Sequence, residues 1–86
     1  MDYTFVPVLY RVRWSDALGY EAYDDYWSYQ AALDHFQMIC SNTAKQCWLM
    51  AMDPTKSGGY VLKQTLKRRA YGDTQPVTFI AITSNP

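Results

Sequence analysis

The sequence predicts an α+β fold: an antiparallel sheet of four to five strands with one helix packed on one face. Three observations carry this. Period-two alternation dominates both ends of the chain, a single helical period occupies the middle, and glycine-bearing turns separate neighbouring strand candidates. The element order is β-β-α-β-β-β, which reads as a layered single domain over residues 1–86. At this length a chain buries roughly 60–65% of its unfolded surface, so it folds alone with little margin.

The first strand candidate is YTFVPVLYRVRW, residues 3–14. After Pro7, Val8, Tyr10, Val12 and Trp14 fall on one face, and Leu9, Arg11 and Arg13 on the other. Proline has no backbone donor, so Pro7 belongs at the strand start or on an edge. SDALG follows as a turn, with YEAYD as the returning strand, which makes a hairpin over residues 3–24.

The period then changes. Ser28 has the right chemistry for an N-cap, and Trp27 before it is placed to staple onto Ala32. Ala32, Phe36, Ile39 and Cys40 form an apolar stripe flanked by Tyr29, Leu33 and Thr43, which predicts a helix over 28–42 stopping at Asn42. Asp24 and Asp25 precede this helix, where negative charge favours the dipole.

In strand 46–52, Cys47, Leu49 and Ala51 share one face, and Trp48, Met50 and Met52 the other. Both faces are apolar, as in a central strand covered on both sides. DPTKSGG is a tight turn and not a phosphate loop, since a strand rather than a helix follows it. In strand 60–67, Tyr60, Leu62, Gln64 and Leu66 alternate with Val61, Lys63, Thr65 and Lys67, and VTFIAIT, 77–83, closes the series. One helix covers only one sheet face. The other is expected to be apolar and uncovered, which favours a partner or a homodimer there.

Composition narrows the function classes. The chain has no net charge, but Arg11 and Arg13 against Asp2, Asp16, Glu21, Asp24, Asp25 and Asp34 leave residues 1–43 at −4. Lys45, Lys56, Lys63, Lys67, Arg68 and Arg69 against Asp53 and Asp73 leave residues 44–86 at +4. No stretch has transmembrane length, and the start lacks the pattern of a secretory signal, so a cytoplasmic protein is expected, with no membrane partner. In that compartment Cys40 and Cys47 read as reduced core residues, a disulfide being the lesser alternative. No metal or cofactor pattern is present, and no catalytic residues are assigned. His35 stands alone in sequence, as a partly exposed helical histidine.

Two patches remain as binding candidates. The basic and aromatic one comprises Tyr60, Lys63, Lys67, Arg68, Arg69 and Tyr71; the acidic and aromatic one comprises Asp16, Tyr20, Glu21, Tyr23, Asp24 and Asp25. Cations interleaved with aromatic rings suit a single-stranded nucleic-acid platform, a docking site for an acidic protein, or simply solvated strand ends. The near-neutral charge of the whole chain argues against a dedicated nucleic-acid domain.

In size, tyrosine density and the hairpin–helix–hairpin layout of VRWSDALGYEAYDDYWSYQAALDHFQMIC followed by CWLMAMDPTKSGGYVL, the chain resembles the small accessory and inhibitor proteins of phages and mobile elements, anti-CRISPR proteins among them. The resemblance is one of style, spans most of the chain and carries no motif. It implies a non-enzymatic protein that blocks a host defence or nucleic-acid-handling complex in the host cytoplasm. A small single-stranded nucleic-acid binder is the alternative expectation.

Overall fold

The computed structural model describes residues 8–42, 45–73 and 75–79. Within them the elements are β1 (Leu9–Asp16), β2 (Glu21–Tyr26), α1 (Tyr29–Cys40), β3 (Lys45–Pro54), β4 (Tyr60–Arg69) and β5 (Val77–Thr78). The five strands form one antiparallel sheet in the order β2-β1-β3-β4-β5, so the α+β class and element order hold. The expected first-strand residues 3–7 and last-strand residues 80–83 lie outside the described residues, as does Thr43. The first hairpin runs on to Tyr26, and β3 and β4 extend past their expected ends to Pro54 and Arg69.

Local chemistry explains the turns. In the first hairpin, Asp16 Oδ1 accepts from the N–H groups of Leu18 and Tyr20 at 2.9 and 3.1 Å, and Gly19 takes a φ of 89°. An aspartate side chain standing in for a backbone acceptor, with a glycine in the left-handed region, fixes such a turn. In the β3–β4 turn, the Thr55 hydroxyl accepts from Gly59 N–H at 3.0 Å, and Thr55 N–H donates to Gly59 O at 2.8 Å.

Helix α1 starts at its expected cap: Ser28 Oγ accepts from Ala31 N–H at 3.3 Å. Its end is held by the N–H groups of Ser41 and Asn42, which donate to carbonyls of the last turn. Asp24 and Asp25 belong to β2 and the first helical turn holds no acid, so the expected dipole role is not theirs. Trp27 is exposed and meets Tyr60 edge-on at 6.4 Å, which places its ring on the rim of the second cluster described below.

The sheet packs its two faces differently. On the helix side Val12, Cys47 and Leu49 are buried against Ala32 and Phe36, with Tyr10, Trp14, Tyr26, Leu33, Ile39, Cys40 and Leu66 around them. On the other side Leu9, Met50 and Met52 form a smaller buried cluster, with Trp48 and Tyr60 packed on it. That face is therefore partly closed within the chain. Tyr23, Trp27, Leu62 and Val77 remain exposed.

Strand β4 departs from simple alternation. Leu49 pairs with Lys67 and Met50 with Thr65; Ala51 pairs with Gln64 and Met52 with Leu62. Leu66 and Lys63 are thus extra residues, two bulges in one strand. Tyr60 packs on one side of the sheet and Leu66 on the other, so the expected common face of Tyr60, Leu62, Gln64 and Leu66 is split. The carbonyl of the extra residue Leu66 accepts from Phe79 N–H at 2.8 Å, so the bulge also anchors the chain just after β5.

Candidate functional site

The expected basic and aromatic patch does not assemble as one surface. Arg69, opposite Cys47 on the helix side, is 1% exposed. Its guanidinium donates to the carbonyl oxygens of Cys40, Asn42 (2.6 Å) and Lys45. Three acceptors around one planar fork is a use of arginine that lysine cannot reproduce. Arg69 is therefore an internal clamp between the helix end and the start of β3, not a surface cation. Tyr71 sends its hydroxyl to Asp16 O at 2.5 Å and lies 3.3 Å from Ser15 Oγ, tying the segment after β4 to the first hairpin. Tyr60 packs on the Leu9, Met50 and Met52 cluster. Lys63, Lys67 and Arg68 are left: Lys63 and Arg68 are exposed, Lys67 is half-buried, and none of the three makes an ion pair among the described residues.

The acidic patch is likewise engaged internally. Asp16 holds its own turn. Glu21 pairs with Arg13, and Asp25 with Arg11 at 2.7 Å. The hydrogen bond to Asp25 pushes the Arg11 guanidinium pKa upward, against the opposing effect of burial. Arg11 lies 4.2 Å from the Tyr23 ring centroid, and Arg13 4.7 Å from that of Trp48. Cations above ring faces and beside carboxylates make an interlocked surface spanning β2, β1 and β3.

One polar group went unseen in the sequence. His35 Nδ1 lies 2.7 Å from the Tyr26 hydroxyl and 3.6 Å from an Asp24 carboxylate oxygen, with Trp14 edge-on at 5.1 Å. Asp24 and Tyr26 lie two residues apart on β2, and only the packing of α1 brings His35 over them. Burial, then Asp24, raises the Tyr26 pKa above its ordinary value, so the phenol holds its proton further into alkaline pH than a free tyrosine. The trio fastens α1 to the edge strand.

The tip of the first hairpin carries the two most exposed large apolar side chains among the described residues. Leu18 is 84% exposed and Tyr20 72%, on a turn fixed by the two bonds to Asp16 Oδ1 and by backbone bonds Asp16 N–H to Tyr20 O and Gly19 N–H to Asp16 O. Tyr23, also exposed, follows on the same hairpin. Of these, Tyr20 and Tyr23 were singled out in the sequence. Leu18 was missed, although a leucine between Asp16 and Gly19 in a turn is the available signal.

Among the described residues, no three His, Cys, Asp or Glu side chains converge to hold a metal ion, and no helix is long and apolar enough to cross a membrane. No family model, curated protein or solved structure matches the chain.

Proposed function

We propose that the protein is a non-enzymatic protein-binding module that docks through the tip of its first hairpin. The observation that carries this reading is the display of Leu18 and Tyr20 on a turn whose hydrogen bonds are already made. Exposed apolar side chains on a preformed turn bind with little ordering cost, and tyrosine is a favoured anchor in interface centres. Tyr23, steadied by Arg11, extends the contact along β2. The resemblance to phage and mobile-element inhibitors supports a further step, in which the partner is a host defence or nucleic-acid-handling complex met in the cytoplasm and binding blocks it.

The nucleic-acid alternative has less support. Arg13 and Arg11 already occupy the Trp48 and Tyr23 rings, and Tyr60 and Tyr71 are engaged in the fold. A base-stacking platform needs free rings beside free cations. Self-association through the second face has Trp27, Leu62 and Val77 to work with, since Leu9, Met50 and Met52 are buried.

The test is capture of partners by tagged protein from nuclease-treated lysate, with the double substitution Leu18→Ser, Tyr20→Ala run in parallel. The expected result is one stoichiometric protein partner held by the parent and lost by the variant, with the two proteins melting alike. Retention by the variant removes the hairpin tip from the model. Partners that vanish with nuclease transfer the reading to Lys63, Lys67 and Arg68, with affinity falling steeply in salt.

A further inference from the structure

We propose that Cys40 and Cys47 are a dithiol that closes to an intramolecular disulfide by exchange with a small external disulfide such as oxidised glutathione. Both cysteines are free, and their sulfur atoms lie 3.0 Å apart, Cys40 at the last residue of α1 and Cys47 near the start of β3. A disulfide forms at about 2.05 Å, so closure asks for a movement of roughly 1 Å, within reach of side-chain torsions. The backbone on both sides is already fixed. Arg69 holds the carbonyls of Cys40, Asn42 and Lys45, and in the sheet register it is the direct partner of Cys47. The pair does not depend on the docking reading above.

Exposure sets the order of events. Cys40 is partly exposed and Cys47 fully buried, so Cys40 meets the external reagent. Its thiolate attacks one sulfur of the external disulfide, forming a mixed disulfide and expelling the first thiolate. Cys47 then gives up its proton and attacks the Cys40 sulfur, which expels the second. Two electrons and two protons pass from the protein to the reagent, which leaves as two thiols. Burial makes Cys47 hard to ionise, pushing its pKa up to about 12, while the Arg69 charge and backbone N–H favour its thiolate. Arg69 thus stands where the negative charge develops in the second step. Its Nε is buried and has no hydrogen-bond partner among the described residues.

The experiment equilibrates the full chain with reduced and with oxidised glutathione, quenches with acid, and weighs the intact protein before and after alkylation. The expected product is a monomer lighter by two hydrogens that takes up no alkylating agent, with one cross-linked peptide containing Cys40 and Cys47. Cys47→Ser should stop at a glutathione adduct on Cys40; Cys40→Ser should leave folded Cys47 unmodified. A stable glutathione adduct on the parent protein, a disulfide-linked dimer, or two free thiols in the oxidised buffer would each overturn the proposal. Melting of the two forms gives a second check. A bond made in the native geometry should raise the midpoint by on the order of 10 °C. A lowered midpoint would show that the bond forms only by distorting the fold, and would overturn the proposal as well.

Discussion

The two faces of the sheet handle arginine in opposite ways. On the helix side, Arg69 is sealed from water and donates to three backbone carbonyls at the joint between α1 and β3. On the other side, Arg11 and Arg13 lie above aromatic rings and pair with carboxylates of β2 while keeping contact with water. The difference is one of alternatives. Water can replace any partner of Arg11, so its pairings are adjustable and individually weak. Arg69 is itself out of reach of water, so no solvent stands in for its partners, and its loss removes three charge-assisted hydrogen bonds together. One face is thereby rigid and the other is a compliant cover over a small methionine-rich cluster.

The largest effect is expected where that contrast is sharpest, at adjacent residues. Arg69→Met should cost about 3–5 kcal/mol, because it removes at once three hydrogen bonds from a charged donor to carbonyls at the joint between α1 and β3. In a domain with roughly 5–15 kcal/mol in total, that brings the variant close to unfolding. Arg69→Lys should recover only part of the loss, since a point charge cannot satisfy a fork. Arg68→Ala, one residue away and exposed, should stay within about 0.5 kcal/mol of the parent. Urea unfolding followed by circular dichroism separates the three. Similar losses for Arg69→Met and Arg68→Ala would break the comparison.

A smaller effect on the rigid face is set by pH. The Cys47 thiol, buried against the helix, is raised from 9.0 to about 12 in the folded protein. A thiol whose folded pKa lies above its unfolded value contributes stability that is fully present below pH 9 and is lost as pH climbs toward 12. The slope in that window is at most about 1.4 kcal/mol per pH unit. Tyr26, also raised by burial, acts in the same direction. Unfolding curves at a series of alkaline pH values should flatten in Cys47→Ala and, separately, in Tyr26→Phe. Protein oxidised at the cysteine pair should lose the Cys47 part of the slope without any substitution. A parent protein whose stability is level across this window would show that Cys47 ionises as freely in the folded chain as in the unfolded one.

Much of this fold is legible in the sequence, because the relevant physics is local. The alternations of Val8–Trp14 and Cys47–Met52, the serine at the helix start, and the aspartate and glycines of the turns act within a few residues. Arg69 is not legible for a non-local reason. Strict alternation along β4 puts Leu66 and Arg69 on opposite faces; the bulge at Leu66 brings both to the helix side. The carbonyls that receive Arg69 gather only once α1 has ended above β3. A clump of cations in KRRAY reads as surface until those acceptors exist. The His35 contacts and the closeness of Cys40 to Cys47 arise in the same way, from where the helix lies across the sheet. At the candidate docking site, Tyr20 was visible as an aromatic in an acidic hairpin. Leu18 belongs to no apolar periodicity, and its only signal is its place between Asp16 and Gly19 in the turn.

The smallest effect tests the compliant face. A double-mutant cycle on Arg11→Ala and Asp25→Ala should give a coupling of about 0.2–1 kcal/mol, shrinking as salt is raised, because both side chains remain partly in water. Replacing Tyr23 by leucine beneath Arg11 should remove a further ~0.5–1 kcal/mol that salt affects less, since the ring's attraction acts at short range. The same cycle at Arg13 and Glu21 should behave alike, with Trp48 in the place of the tyrosine. Couplings near 3 kcal/mol would mean that these arginines are as desolvated as Arg69, and the second face would then be a core rather than a cover. Couplings in the expected range leave β2 loosely held on its outer side, with His35 fastening it from the helix side. That arrangement would suit the docking proposed for the hairpin tip. Leu18 and Tyr20 are preset by their own turn, while the strand behind them can adjust its pairings without disturbing the Arg69 joint.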